Sequence, residues 1–316
     1  MNKVTKILRY ITPLIIGLFF IYLSYLNTSH DDRINVIKYI QNADYHFIIL
    51  SILFGLLSHI SRAIRWGYLL IPIGYNPRLT NSILAVLIGY LSNLGIPRSG
   101  ELLRASVMDR YDKIPFKTGF GTVIAERLVD LLILSIFLVV ALVLQFDLII
   151  HILDFEVHNV IPFIIGLIIL VLGLRFFFYS NYSFTKKIKS FVFGIWQGIL
   201  SIKKIKKKGA FIIHTVFIWT MYLLMFSIIK YSIPETVSLG LNALIPAFVI
   251  GGLSISITNG GIGIFPYTVS LVLISSGISK DSSLAFGWIV WSSQTLMIIA
   301  FGAIAFFALP LVNGQK

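Results

Sequence analysis

Apolar residues arrive along this chain in continuous blocks near 8–26, 45–71, 117–145, 160–180, 209–230 and 283–311. Each approaches or exceeds the roughly 20 residues that a helix needs to cross hydrocarbon. The blocks are continuous rather than alternating, which favours spanning helices over a β-barrel. Between them lie two compound segments, 80–112 and 243–279, whose apolar stretches are short and broken by Gly, Pro and Asn. The pattern predicts an all-α, polytopic membrane helix bundle of about six full spans plus two broken, re-entrant segments.

The two breaks resemble each other. The first reads Leu91-Ser92-Asn93-Leu94-Gly95-Ile96, and 166 positions later the second reads Ile257-Thr258-Asn259-Gly260-Gly261-Ile262. A similar offset relates blocks beginning near Tyr45 and Lys117 to blocks near Gly209 and Ser283. Paired interruptions in two halves are the signature of a transporter-like repeat with its site near the membrane midplane. A single membrane domain, 1–316, is therefore expected to divide into repeat halves 1–155 and 156–316.

Loop charge orients the halves. Lys3, Lys6 and Arg9 precede the first block, and Lys186, Lys187, Lys189, Lys203, Lys204, Lys206, Lys207 and Lys208 share one connection. The loop with Asp147, Asp154 and Glu156 carries no Lys or Arg. The bias of Lys and Arg toward the cytoplasm puts the lysine connection and both termini inside, and the acidic loop outside. Arg78 and the basic stretch from Arg98 to Lys117 must then both be cytoplasmic, so segment 80–112 enters and leaves on that side. Segment 243–279 enters and leaves on the other, which makes the repeat inverted. The simpler competing topology has every apolar stretch cross fully. The run Tyr10–Leu26 is longer than a signal-peptide core and lacks a small-x-small cleavage site, so a retained first span is expected. Apolar residues between the lysine clusters of 181–208 suit an interfacial amphipathic helix or, equally, a solvated loop.

Composition narrows the class. Hydrophobic residues make up 57% and charged residues 12%, with mean hydropathy +0.90, which excludes a soluble globular domain. A net charge of +13 would suggest nucleic acid in a soluble protein. Here the excess sits in loops and sets topology, so no nucleic-acid partner is expected. The chain has no cysteine, which excludes disulfides and thiolate chemistry. Its histidines have no metal spacing and no cofactor is expected. Gly261-x-Gly263 is no nucleotide fingerprint, because no strand-helix unit flanks it.

Several charges stand where a membrane protein seldom tolerates them. Arg98, Glu101 and Arg104 are three apart, so on one helix the carboxylate would lie between two guanidinium groups. Pro97 and Gly100 suit a helix start after irregular backbone, which at membrane depth needs protein or a water-filled cavity around it. Glu126 and Asp130 share a face of the next span, with Arg127 three before Asp130. His59, Arg62 and Arg65 form a stripe on the span 45–71. Intramembrane ionisable groups face a bundle interior and pair with one another or with a ligand. Arg suits bidentate phosphate recognition. Arg62 and Arg65 could equally snorkel to headgroups, and Glu126, Arg127 and Asp130 could be an ion-pair lock between helices. The second break is polar but uncharged, with Pro266 where an ionic residue would be expected. His214 reads as helix packing, and Ser292, Ser293 and Gln294 as hydrogen-bonding glue across helices. The candidate substrate-binding set is Arg62, Arg65, Asn93, Arg98, Glu101, Arg104, Glu126, Arg127, Asp130, Asn259 and Gly261.

The stretches Asn93-Leu94-Gly95-Ile96-Pro97-Arg98-Ser99-Gly100-Glu101, Glu126-Arg127-Leu128-Val129-Asp130 and Asn259-Gly260-Gly261-Ile262-Gly263 resemble the flippase-like membrane domain family. That family is typified by the transmembrane region of lysylphosphatidylglycerol synthase, the multiple peptide resistance factor. The resemblance covers essentially the whole chain and implies a multi-pass cytoplasmic-membrane protein that moves lipid headgroups between leaflets. Two departures stand out. The best-known member continues into a C-terminal aminoacyltransferase domain, whereas this sequence stops at Lys316, so the chain is not expected to make the aminoacylated lipid itself. The second glycine motif often leads into a glutamate, where this sequence has Pro266. The leading expectation is a lipid flippase or scramblase for a phospholipid or lipid-linked anionic headgroup, partnered by membrane lipids and by a second copy or a separate lipid-modifying enzyme. The alternatives are an integral-membrane transferase using a lipid-linked donor, with Glu101 or Glu126 as general base, and a non-transporting subunit whose charges only lock helices.

Overall fold

The computed structural model describes residues 30–96, 98–145, 205–256 and 258–314, together with Tyr22, Tyr25 and Leu26. The expected spans 8–26 and 160–180, the acidic loop and most of the lysine connection lie outside the described residues. Among the described residues the chain is all-helical, with no strand and nine α-helices. These are α1 (His30–Gln41), α2 (Tyr45–Leu70), α3 (Leu79–Gly95), α4 (Gly100–Asp112), α5 (Phe116–Leu144), α6 (Lys208–Ser227), α7 (Leu241–Ser254), α8 (Ile264–Ser275) and α9 (Lys280–Asn313).

Local chemistry sets the helix ends. Asp44 caps α2 by accepting from the His46 N–H at 3.0 Å, and a turn through Pro72 to the left-handed Gly74 stops it. Left-handed Lys113 terminates α4, and Pro115 then opens α5. Counting short helical turns that extend them, four helices are long and apolar enough to cross a membrane: Tyr45–Ile73, Phe116–Leu144, Lys208–Ser232 and Lys280–Asn313. They match four of the six expected spans. The compound segments are short apolar helices on either side of a break, α3 with α4 and α7 with α8. The succession of a long helix, a broken pair and a long helix therefore occurs twice, in α2–α5 and α6–α9.

Packing fixes what these helices surround. Helix α2 lies along α6, α3 packs on α4 and α9, α5 on α4 and α7, and α8 between α7 and α9. One apolar core gathers Phe226, Phe265, Phe286 and Ile289, and another gathers Trp66, Met108, Ile114 and Val123. The outer faces stay apolar: Leu132 on α5 is 61% exposed and Phe307 on α9 is 69% exposed. Such faces suit lipid rather than water.

Candidate functional site

Helix α5 brings two carboxylates into the bundle, and α2 and α4 supply the cations that meet them. Glu126 is fully buried, and it accepts from Arg62 Nη1 at 2.6 Å and from Arg104 Nη2 at 3.0 Å. Arg65 Nη2 lies 3.1 Å from Oε1, the oxygen that Arg62 also meets, while Arg104 takes Oε2. Asp130, one turn on, accepts from Arg62 at 2.6 Å and from Arg65 at 2.8 Å. Arg65 also donates to Thr215 Oγ1 on α6 at 3.1 Å, and Arg104 lies 4.4 Å from the Trp66 ring centroid. Arg62 and Arg65 are therefore buried in this lock and do not snorkel. Their stripe on α2 meets the Glu126–Asp130 stripe on α5, which satisfies charges that hydrocarbon would not tolerate alone.

Arg98 and Glu101 do not form the predicted pair. Arg98 precedes α4, in the left-handed region at φ 61, so the three-residue helical spacing does not apply to it. Glu101 instead meets Arg127 Nε at 3.1 Å, across from α4 to α5. Arg104 turns to Glu126. Arg98 is exposed and has no ion-pair partner among the described residues. A non-glycine residue held at positive φ costs about 1–2 kcal/mol, and such strain concentrates at functional positions.

The first break is stitched internally. Asn93 Oδ1 accepts from the Gly100 N–H at 2.7 Å, and Ser99 Oγ donates to the Ile96 carbonyl at 2.7 Å. Ser92 and Ser99 also hydrogen-bond to each other. These bonds satisfy backbone groups that a helix end leaves open. The helices meet so closely that a Cβ at Gly100 would lie 2.2 Å from the Gly89 carbonyl oxygen. In the second break Gly260 (φ 65), Gly261 (φ 78) and Gly263 (φ 72) all need left-handed backbone, and Trp291 Nε1 donates to the Gly260 carbonyl at 2.8 Å. Asn259 sits in that turn. The two breaks touch: a Cβ built on Gly260 would lie 2.7 Å from Leu94 Cδ2.

Both breaks border one cavity of about 600 Å³. Arg62, Asn93, Leu94, Arg98, Glu101, Arg127 and Asp130 line it from the first half, and Trp219, Tyr222, Ser256, Thr258, Gly260 and Gln294 from the second. Arg65, Arg104, Glu126 and Gly261 are not among its lining residues. With Arg98 included, five guanidinium groups share this region with three carboxylates, which leaves two positive charges unmatched. Among the described residues no group of three His, Asp or Glu is placed to hold a metal.

The family model of the lysylphosphatidylglycerol synthase transmembrane region matches residues 10–309. The chain belongs to that family. A UPF0104 membrane protein, PH1989 of Pyrococcus horikoshii, is 26% identical over 279 residues, covering 77% of this chain and 81% of its own length. Another, MJ1595 of Methanocaldococcus jannaschii, is 30% identical over 105 residues, 32% of this chain and 31% of that protein. A protein named glycosyltransferase AglD, of Haloferax volcanii, is 30% identical over 111 residues, 35% of this chain and 18% of its own length. The last two matches thus span under a third of those relatives. Family and long apolar helices together make the chain a multi-pass membrane protein of a lipid-related family.

Sequence reasoning did not single out part of the cavity wall. Tyr90 and Tyr222 hydrogen-bond to each other at 2.9 Å, and Arg62 Nη2 donates to Tyr222 at 3.3 Å. The His59 ring lies against that of Tyr90, with centroids 4.1 Å apart and the planes tilted by 31°. Nothing in the spacing of Trp219 and Tyr222 along the chain marks them out. The supposed serine glue turns inward: Ser292 and Ser293 bond to carbonyls of their own helix, while Gln294 borders the cavity. His214 does pack, meeting Ser61 Oγ at 2.8 Å.

Proposed function

We propose that the chain is a flippase- or scramblase-like protein that passes anionic lipid headgroups between leaflets through the cavity bordered by both breaks. The observation that carries this is Arg98, an exposed guanidinium without an ion-pair partner among the described residues, on the wall of a cavity set among apolar helices. Arg98 offers a planar fork to a phosphate. The buried lock of Arg62, Arg65, Arg104, Glu126 and Asp130 holds α2, α4 and α5 in register behind it, and its unmatched charge keeps the cavity attractive to anions. Acyl tails stay in lipid while the headgroup crosses. Glu101 and Arg127, partly exposed at the rim, exchange partners as the phosphate arrives.

In this reading halves 1–155 and 156–316 form an inverted repeat, each contributing one re-entrant break to the site. The protein sits in the cytoplasmic membrane with both termini inside, alone or beside a lipid-modifying enzyme. The partial match to a protein named as a glycosyltransferase favours a second reading, a transferase on a lipid-linked donor. There Glu101, whose Oε2 is buried without a partner, would serve as base.

The test is reconstitution into vesicles with a tail-labelled anionic phospholipid and no added enzyme or donor. A membrane-impermeant quencher should reach inner-leaflet label only when the protein is present, and Arg98→Ala should return the signal to that of empty vesicles. Equal quenching in empty and protein-containing vesicles, with or without an ion gradient, would reject transport.

A further inference from the structure

We propose that Arg78, Asn81, Asp112 and Asn313 form a releasable clasp. Closed, it ties the end of α9 to the base of the α3–α4 pair; open, it lets α9 part from α3, so that the cavity is reached from that end of the bundle. This rests on reading the cavity as a passage between leaflets, and it names the part of the fold that moves.

Chain order sets the geometry. Helices α3 and α4 meet at the first break, on the cavity, and their other ends lie together where Arg78 and Asn81 open α3 and Asp112 closes α4. Asn313 is the last residue of α9, far away in the sequence. The Asp112 side chain is only 3% exposed, and it accepts from the Arg78 backbone N–H at 2.9 Å, from Arg78 Nε at 3.0 Å and from Asn81 Nδ2 at 2.6 Å. Asn81 and Asn313 exchange amide hydrogen bonds in both directions, at 2.9 and 3.2 Å. Arg78 Nη2 also donates to the Asn313 side-chain oxygen.

The bonds divide unevenly, and the division makes the clasp releasable. When Asn313 withdraws, Asp112 keeps all three of its donors and Arg78 Nη2 keeps the Tyr111 carbonyl at 3.2 Å. Asn313 keeps the Leu309 carbonyl of its own helix at 2.8 Å. No charge is left unpaired, and the Arg78 side chain is already 55% exposed, so water can take the vacated sites. The lock at Glu126 is the opposite case, since parting it would strand charges in the core.

Helix α9 carries the matching features. Gly302, Ala305, Leu309 and Asn313 follow three- and four-residue spacing along one face. The first three are buried, whereas Phe306 and Phe307 are 59% and 69% exposed. Gly302 lies one turn beyond Ile298 on the cavity wall, and a Cβ built on it would come within 2.6 Å of Leu91 Cβ on α3. From there Asn313 is about 16 Å further along the helix. Pro310 stands between them inside α9 and cannot donate to the Phe306 carbonyl, which gives the helix a place to bend. The arm beyond Gly302 therefore has a fulcrum, a bending point and a catch.

The chain has no cysteine, so single-cysteine reporters are unambiguous. Ala305→Cys puts a thiol in the closed seam, and Ala247→Cys puts one in the other apolar core. Full-length protein in detergent micelles is labelled with a water-soluble methanethiosulfonate. Adding Asn313→Ala should make the Ala305 reporter react about tenfold faster, as the loss of one or two net hydrogen bonds shifts an opening equilibrium. The Ala247 reporter should keep its parental rate. Arg110→Ala, which removes an exposed cation of α4 outside the clasp, should change neither. Leu309→Cys, on the same face of α9, gives the same reading should Ala305→Cys not fold. In vesicles, Asn81→Cys with Asn313→Cys, joined by a short cleavable reagent, should stop lipid passage, and cleavage should restore it. An unchanged rate at the Ala305 reporter would overturn the clasp, as would faster labelling of both reporters, which signals loss of the fold. Lipid passage undisturbed by the link would overturn it too. If the parent protein passes no lipid at all, the passage reading falls, and the labelling rates alone decide whether the clasp opens.

Discussion

Glu126 gives the most quantitative prediction, because three guanidinium groups converge on it at a fully buried position. It is fully buried, as is Arg65, while Arg62 and Arg104 are 2% and 3% exposed. Glu126→Gln keeps the shape and removes the charge. Arg62 and Arg65 retain Asp130, but Arg104 loses its only ion-pair partner among the described residues and keeps only the Trp66 face. Breaking a buried pair from one side costs roughly 3–5 kcal/mol, because the partner stays charged and desolvated. The burial leaves no solvent screening to reduce that figure. Removing both members, in Glu126→Leu with Arg104→Leu, abolishes the orphan and should recover all but about 1–2 kcal/mol, part of the remainder being the lost cation–π contact. Denaturant titration in mixed micelles gives the three stabilities. The reasoning fails if Glu126→Gln lies within about 0.5 kcal/mol of the parent, the range of an ordinary surface change. It fails equally if the double variant is no better than the single.

Arg98→Gly should change stability by no more than about 1 kcal/mol, since relief of left-handed strain offsets glycine's added chain entropy, and Arg98→Lys should restore only part of the transport that Arg98→Gly removes; vesicle quenching with a parallel melt reads both. Gly100→Ala should destabilise by about 3 kcal/mol, because its methyl would press on the Gly89 carbonyl rather than on a yielding side chain; a melt of the purified variant measures this. Cysteines at Leu94 and Gly260 should be joined by a short bifunctional reagent, visible as a mobility shift in a version cut between them, and absence of linkage would separate the two breaks. Reporter fusions at Lys204 and Asp154 should report opposite sides of the membrane, cytoplasmic for the first.

The long helices were legible because continuous apolar blocks leave few alternatives, and four of them appear where the blocks lie. The stripes were legible too: helical spacing puts Glu126 with Asp130 and Arg62 with Arg65. What spacing could not show was which stripe faces which, since it carries relations within a helix and none between helices. Glu101 illustrates the limit. Its three-residue intervals to Arg98 and Arg104 suggested a triad on one helix, yet α4 starts at Gly100, which leaves Arg98 in a strained turn, and Arg127 on α5 reaches Glu101 instead. Asn93 belonged to the candidate set, and its carbonyl proves to close the end of α4, a job that the position of the break alone hints at. His59 was visible as part of a stripe. That both its nitrogens lack partners is a property of the packed bundle and of nothing local in the chain.

The central claim is that one cavity, bordered by both helix breaks, admits a phosphate headgroup at Arg98. A cryo-electron-microscopy map of the protein in a lipid nanodisc containing phosphatidylglycerol tests it most directly. The account predicts headgroup density inside the cavity, with its phosphate within hydrogen-bonding reach, about 3 Å, of the Arg98 guanidinium, and its tails leaving between helices toward the lipid. Ordered lipid confined to the outer apolar faces, with Arg98 turned away and the cavity holding only water, would contradict it.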